Sequence, residues 1–162
     1  MWTHTHMPDV IGVIFPIPKL YISRFFGDGK TVFIKPAKTF KKLQVGMKFI
    51  FYQSQEDTGY VGDALIKNIT IARDPFSFFD IYENSIFLTK EELESYIKKI
   101  KERSKKHKKG KNISKTKNWL AIELKLVRMY NIKIKPDKFT PIGGKYIYTD
   151  PVEWCLPNPP NW

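Results

Sequence analysis

The chain has 162 residues, 42% of them hydrophobic and 15% aromatic, with a net charge of +12. That length suits one domain, and that apolar content excludes a largely disordered chain. No apolar run approaches the roughly 20 residues of a membrane-spanning helix, and no signal-peptide pattern is present. The single cysteine, Cys155, cannot form an internal disulfide, so a cytoplasmic location is expected.

Residues 1–8 show no pattern and read as a flexible N-terminus. His4 and His6 have no third metal ligand close by in sequence. "DVIGVIFPI" reads as a buried strand stopped by Pro16 and Pro18, and "KLYISRFFGDG" as a short helix leading to a turn. "KTVFIKP" reads as a strand ended by Pro36. "MKFIFYQS" and "GYVGDALIKNITI" are β-rich runs with a turn between them. In "DPFSFFDIYEN", Asp74 is a good N-cap and Pro75 suits the first helical position. Thr89 followed by Glu92 is a capping-box pattern opening the next helix. On that helix Leu93, Tyr96, Ile97 and Ile100 share one face. No apolar anchor follows until Ile113, so the helix is expected to fray into a basic loop after Ile100. "NWLAIELKLVRMY" alternates, with Leu120, Ile122, Leu124 and Leu126 expected on one face of a strand. One or two further strands are expected around Gly143 and Gly144, before a Pro-rich tail at 157–162. The pattern predicts an α+β fold: a small, mainly antiparallel β-barrel with helices packed outside it. A single domain over residues 9–156 is expected, carrying a basic insertion at about 98–118.

Charge is concentrated in that insertion. Between 98 and 117 stand Lys98, Lys99, Lys101, Arg103, Lys105, Lys106, Lys108, Lys109, Lys111, Lys115 and Lys117, against one acid, Glu102. Ten of the twelve net charges lie there, leaving +2 for the rest of the chain. Such a run can neutralise phosphates and release counterions, and Trp119 at its end could stack on a base. The structural alternative is a solvated Lys-rich loop.

The order of pieces resembles a known group. Gly46, then Phe51, Tyr52, Gln53 and Ser54, then Gly59, Tyr60, Val61 and Gly62 are similar to the central signature of EVE domains. Gln53 stands where that signature carries a histidine. From about 11 to 154 the chain resembles an uncharacterised archaeal family of the PUA-like superfamily, which also holds ASCH and YTH domains. The resemblance implies a small pseudo-barrel that binds RNA, with tRNA or rRNA as partners and DNA as a second candidate. It also implies a pocket for a modified or flipped base near Tyr52, Gln53, Ser54, Thr58 and Gly59, with Lys30 and Lys35 close by. The residue types fit: Tyr52 offers a π-face, Gln53, Ser54 and Thr58 offer polar groups, and Gly59 and Gly62 allow close backbone approach.

The alternative implied by the ASCH resemblance is a hydrolase or modification enzyme acting on nucleotides or RNA. Lys30 matches the lysine of the ASCH motif. Phe33 stands where its Glu should be and Lys35 where its Arg should be, so no catalytic set is assigned. That alternative requires Lys30 to meet a carboxylate such as Asp63 or Glu123. Glu56, Asp57 and Asp63 form an acidic cluster around a turn, where acids more often cap turns than catalyse. His107 and Cys155 have no partners suggesting chemistry, and Phe76, Phe78, Phe79 and Tyr82 read as core. No cofactor and no metal are expected.

Overall fold

The computed structural model describes residues 10–37, 42–107, 118–135 and 144–148. The chain runs β1 (Val10–Pro18), α1 (Lys19–Phe26), β2 (Val32–Pro36), β3 (Lys48–Ser54), β4 (Gly59–Ala72), α2 (Phe78–Tyr82), α3 (Lys90–His107), β5 (Trp119–Ile134) and β6 (Lys145–Tyr148). Short 3-10 turns at Pro75–Ser77 and Glu83–Ser85 flank α2. The strands form one sheet in the order β2, β5, β4, β3, β1, β6. β1 and β3 pair in parallel and the other neighbours are antiparallel. A parallel pair needs a crossover, and here α1 and β2 lie within it. The result is the expected mixed, mainly antiparallel α+β architecture. Among the described residues it is a half-barrel, its strand order ending at β2 and β6.

Local chemistry accounts for most of these elements. Pro16 does not stop β1 but lies within it, and the strand ends at Pro18. Among the described residues β6 pairs only with Val10 to Ile14, and beyond that point β1 pairs on one side alone. A proline's missing N–H costs no ladder bond on such an edge. Asp74 accepts a bond from the Phe76 N–H through Oδ1 at 3.0 Å, as its cap position requires. The capping box forms in both directions: Thr89 N–H donates to Glu92 Oε1 at 2.8 Å, and Glu92 N–H donates to Thr89 Oγ1 at 3.1 Å. α3 does not fray after Ile100 but continues to His107. Its last residues, "KERSKKH", are mostly strong helix formers, and cations suit the negative end of a helix dipole.

The barrel interior is filled by rings. Phe49 touches Phe15, Phe33 and Phe51 at centroid distances of 5.3, 5.5 and 4.9 Å. Phe25 of α1 closes on Phe51 at 5.1 Å and stacks on Phe87 at 5.4 Å. Leu93 anchors α3 to this core, with Tyr96, Ile97 and Ile100 packed beside it. The simple alternation expected of β5 fails at Leu126, which is 72% exposed and has φ +53°. Register shifts between β4 and β5 at Tyr60/Gly62, Asp63/Leu65 and Ile66/Asn68 explain this. Each bulge adds local twist and re-aims the side chains that follow.

The sheet has a second buried patch on its opposite face. Ile14, Ile50, Tyr52, Tyr60 and Ile147 cluster there, while Val13, Phe15, Phe49 and Phe51 belong to the main core. Alternation along β1 and β3 places the two sets on opposite sides. Asp63 is buried beside this second patch, opposite Ile50 in register. Arg128 donates to its Oδ1 at 2.8 Å and to its Oδ2 at 3.2 Å, and the Tyr130 hydroxyl donates to Oδ2 at 2.9 Å. Burial, first, and the Asp63 charge hold the Tyr130 hydroxyl well above its ordinary pKa, so it stays a donor.

Candidate functional site

A cleft of about 590 Å³ opens between the end of β1, α1, β2 and α3. Its apolar wall comes from Pro16, Pro18, Leu20 and Tyr21, and from Phe33, Ile34, Phe87 and Leu88. α3 supplies the other wall through Glu91, Glu92, Ser95, Tyr96, Lys99 and Arg103, and Gln55 reaches it from the loop after β3. Its size and its mix of apolar wall and few polar groups suit a nucleotide-sized ligand.

One end of the cleft is held by an ion pair. Arg24 of α1 donates through Nη1 to Glu92 Oε1 at 2.5 Å and through Nη2 to Oε2 at 2.7 Å. Nη1 also donates to the Phe87 carbonyl at 2.8 Å, and the guanidinium lies 4.9 Å from the centre of the Tyr21 ring. The bond from Arg24, joined by that from the Thr89 N–H, holds the Glu92 carboxyl down at about 2. The same bond raises Arg24. Glu92 therefore caps α3 and ties it to α1 at once. Lys99 and Arg103 are exposed and form no ion pair among the described residues. They remain available to an anion.

The residues expected to form the base pocket do not converge. Tyr52 is buried on the opposite face of the sheet, with its ring 5.6 Å from Tyr60. Gln53 is also buried, and its Nε2 donates to the carbonyls of Glu56 and Asp57 at 3.2 and 2.8 Å. It ties down its own turn. Ser54 and Thr58 are half-buried, and neither lines the cleft; their neighbour Gln55 does. A Cβ on Gly59 would fall 2.5 Å from Lys133 Cγ, and one on Gly62 would fall 2.4 Å from both the Arg128 carbonyl oxygen and Phe26 Cζ. The close approach these glycines permit is therefore to the protein's own β5 and α1. Lys30 donates to the Asn84 carbonyl at 2.5 Å. Lys35 lies with Nζ 4.6 Å from the centre of the Phe15 ring, and burial lowers its pKa to about 8. Neither lysine lines the cleft.

Trp119 is a core residue, packed edge-on by Tyr96 at 5.7 Å, and is not exposed for stacking. Of the basic run, Lys98, Lys99, Lys101 and Arg103 are exposed on α3. Lys105 and Lys106 lie on the same helix, while Lys108, Lys109, Lys111, Lys115 and Lys117 lie outside the described residues, as do His4, His6 and Cys155. The acidic cluster separates. Asp57 pairs with Lys133, which lowers its pKa, whereas Asp63 is held by Arg128. Glu123 pairs with Lys67 at 3.6 Å. Lys30, Asp63 and Glu123 thus have different partners, and the convergence an enzyme reading required is not formed. Among the described residues no group of His, Cys, Asp or Glu could hold a metal ion, and no helix is long and apolar enough to cross a membrane.

Sequence reasoning missed Tyr21, Phe87 and Gln55, which reach the cleft from distant segments. On the α3 wall it named Lys99 and Arg103 but missed Glu91 and Ser95, although the four recur at intervals of four.

Comparison with known proteins agrees with this architecture. A family model described as "Domain of unknown function (DUF365)" matches residues 10–149. An uncharacterized protein of Methanocaldococcus jannaschii is 39% identical over 110 residues, spanning 68% of this chain and 97% of that protein. Among solved structures, a serine-to-alanine variant of ZmASCH from Zymomonas mobilis superposes with a TM-score of 0.68 at 14% identity, covering 91% of this chain and 95% of that one. A structure of ASCH from the same organism gives 0.56 at 11% identity, covering 88% and 92%. At such identities the likeness is one of fold alone, an ASCH-like fold. The half-barrel with its three described helices carries that fold, and the chain belongs to the family described as Domain of unknown function (DUF365).

Proposed function

We propose that this protein is an RNA-binding module that receives a base in the cleft between α1 and α3 and grips the adjoining backbone with the basic face of α3. The observation that carries this reading is continuity: Lys99 and Arg103 line the same cleft as Tyr21, Phe87 and Tyr96. A single-stranded nucleic acid needs both, a surface on which an unstacked base can lie and cations that track its phosphates. The barrel interior is packed with phenylalanines, so the cleft is the better receptor for a base. The Lys-rich segment that continues from α3 would add affinity without sequence preference, since phosphate contacts carry no base information directly. By the superfamily resemblance, tRNA and rRNA are the RNA classes to try first.

The test is equilibrium binding of the intact protein to tRNA and to single-stranded RNA, beside a Ser95→Trp variant. Ser95 is exposed on α3 and lines the cleft, so an indole there obstructs it without touching the core. Affinity should fall about tenfold, or roughly 1.4 kcal/mol, with thermal stability unchanged. Undiminished binding by the obstructed variant would remove the cleft from the reading.

A further inference from the structure

The next step rests on the reading just given and concerns which base the cleft selects. Glu91, Ser95, Lys99 and Arg103 all line the cleft and stand at successive intervals of four on α3. Residues so spaced form one ridge, each about 6 Å further along the helix axis. Along the cleft the ridge therefore runs acid, hydroxyl, cation, cation. The acid end is the first turn of the helix, and the cations lie beyond its middle.

Among the described residues the carboxylate at the acid end is uncommitted. Glu92 is not: Arg24 holds both its oxygens, and Oε1 also accepts from the Thr89 N–H. The Glu91 carboxylate has no hydrogen bond or ion pair among the described residues. A carboxylate repels phosphate, whereas Lys99 and Arg103 attract it. The ridge thus orients a nucleotide, with its phosphate toward Lys99 and Arg103 and its base toward Glu91. Tyr21 and Leu20 supply apolar surface in the same cleft.

An ionised carboxylate only accepts hydrogen bonds. Guanine presents two donors side by side on its Watson–Crick edge, the ring N–H and the exocyclic amino group, matching the two oxygens. Adenine and cytosine each present one amino donor beside a ring nitrogen that also accepts, which a carboxylate disfavours. Uracil presents one donor between two carbonyls. We infer that the cleft reads guanine through Glu91, with the flanking phosphates on Lys99 and Arg103.

The experiment is equilibrium binding of the full chain to short oligouridylates carrying one central guanine, adenine or cytosine, or none. The guanine oligomer should bind about tenfold more tightly, the scale of one bidentate contact. Glu91→Gln should bring it level with the others while leaving the salt dependence in place. Lys99→Gln should weaken all four oligomers alike. Equal affinity for the four oligomers in the unaltered protein would overturn the inference, and so would a guanine preference that survives Glu91→Gln. If no oligomer binds, or if Ser95→Trp binds all of them undiminished, the RNA-binding cleft itself fails and takes this inference with it.

Discussion

Glu92 shows how much one side chain can hold. It caps α3, accepts hydrogen bonds from both terminal nitrogens of Arg24 and forms part of the cleft wall. Its folded pKa, about 2, lies below the ordinary 4.5, so the unfolded chain binds more protons between those values. The stability this provides is present above about pH 4.5 and is lost as pH falls toward 2. Glu92→Gln should therefore flatten the acid limb of the stability profile and cost about 1–2 kcal/mol at neutral pH, allowing for partial exposure. Urea titrations across the acid range would measure both. Gly62 poses a steric question at the same scale. A methyl group there meets the tip of the Phe26 ring and the Arg128 carbonyl oxygen, and the oxygen cannot yield without moving β5. Gly62→Ala should cost roughly 2–3 kcal/mol in denaturant unfolding, although the change adds only one carbon.

At the scale of the element, α3 joins core packing to the candidate cleft. Its Leu93, Tyr96, Ile97 and Ile100 stripe faces the core, and the adjoining ridge faces the cleft. The two stripes are neighbours on one helix, so core packing fixes where the cations stand. Each phosphate neutralised on single-stranded RNA contributes about 0.7 to the slope of log affinity against log salt. Lys99→Gln with Arg103→Gln should thus lower that slope by about 1.4, measured by binding across a salt series. An unchanged slope would mean that these two cations meet no phosphate. β4 and β5 illustrate the opposite limit. Their propensities are clear, yet three register shifts decide which residues of β5 face outward, and Leu126 ends at the surface. Bulges arise from pairing across the sheet, so alternation along one strand cannot reveal them.

Over the whole molecule, the interior of the half-barrel among the described residues is filled by aromatic rings. Phe49 sits among Phe15, Phe33 and Phe51, with no exposed surface. Phe49→Ala should cost about 3–5 kcal/mol in denaturant unfolding, the range for a ring deleted from a packed core. With that interior filled, the candidate cleft among the described residues lies where α1 and α3 lean on the ends of β1 and β2. That groove is assembled from residues 16–21, 33–34, 55 and 87–103. The crossover that makes β1 and β3 parallel neighbours is what brings α1 over the sheet and toward α3.

The sequence by itself determined what depends on near neighbours. The strand runs, the Asp74 cap, the Thr89 and Glu92 capping box, the apolar stripe of α3 and the concentration of charge between 98 and 117 were all legible, because spacings of two to four residues encode them. The order of pieces along the chain, with the EVE-like motif around Gln53 and Gly62 within it, also marked the family and its α+β fold. Only the tertiary structure decided what those motif residues do. Tyr52 turns to the sheet's far face, Gln53 binds its own turn, and Gly62 makes room for Phe26. It also decided the site. Arg24 meets Glu92 across 68 positions of chain, and no local pattern carries a contact of that separation. A cleft formed by such contacts depends on how sheet and helices pack, which a linear reading of propensities does not contain.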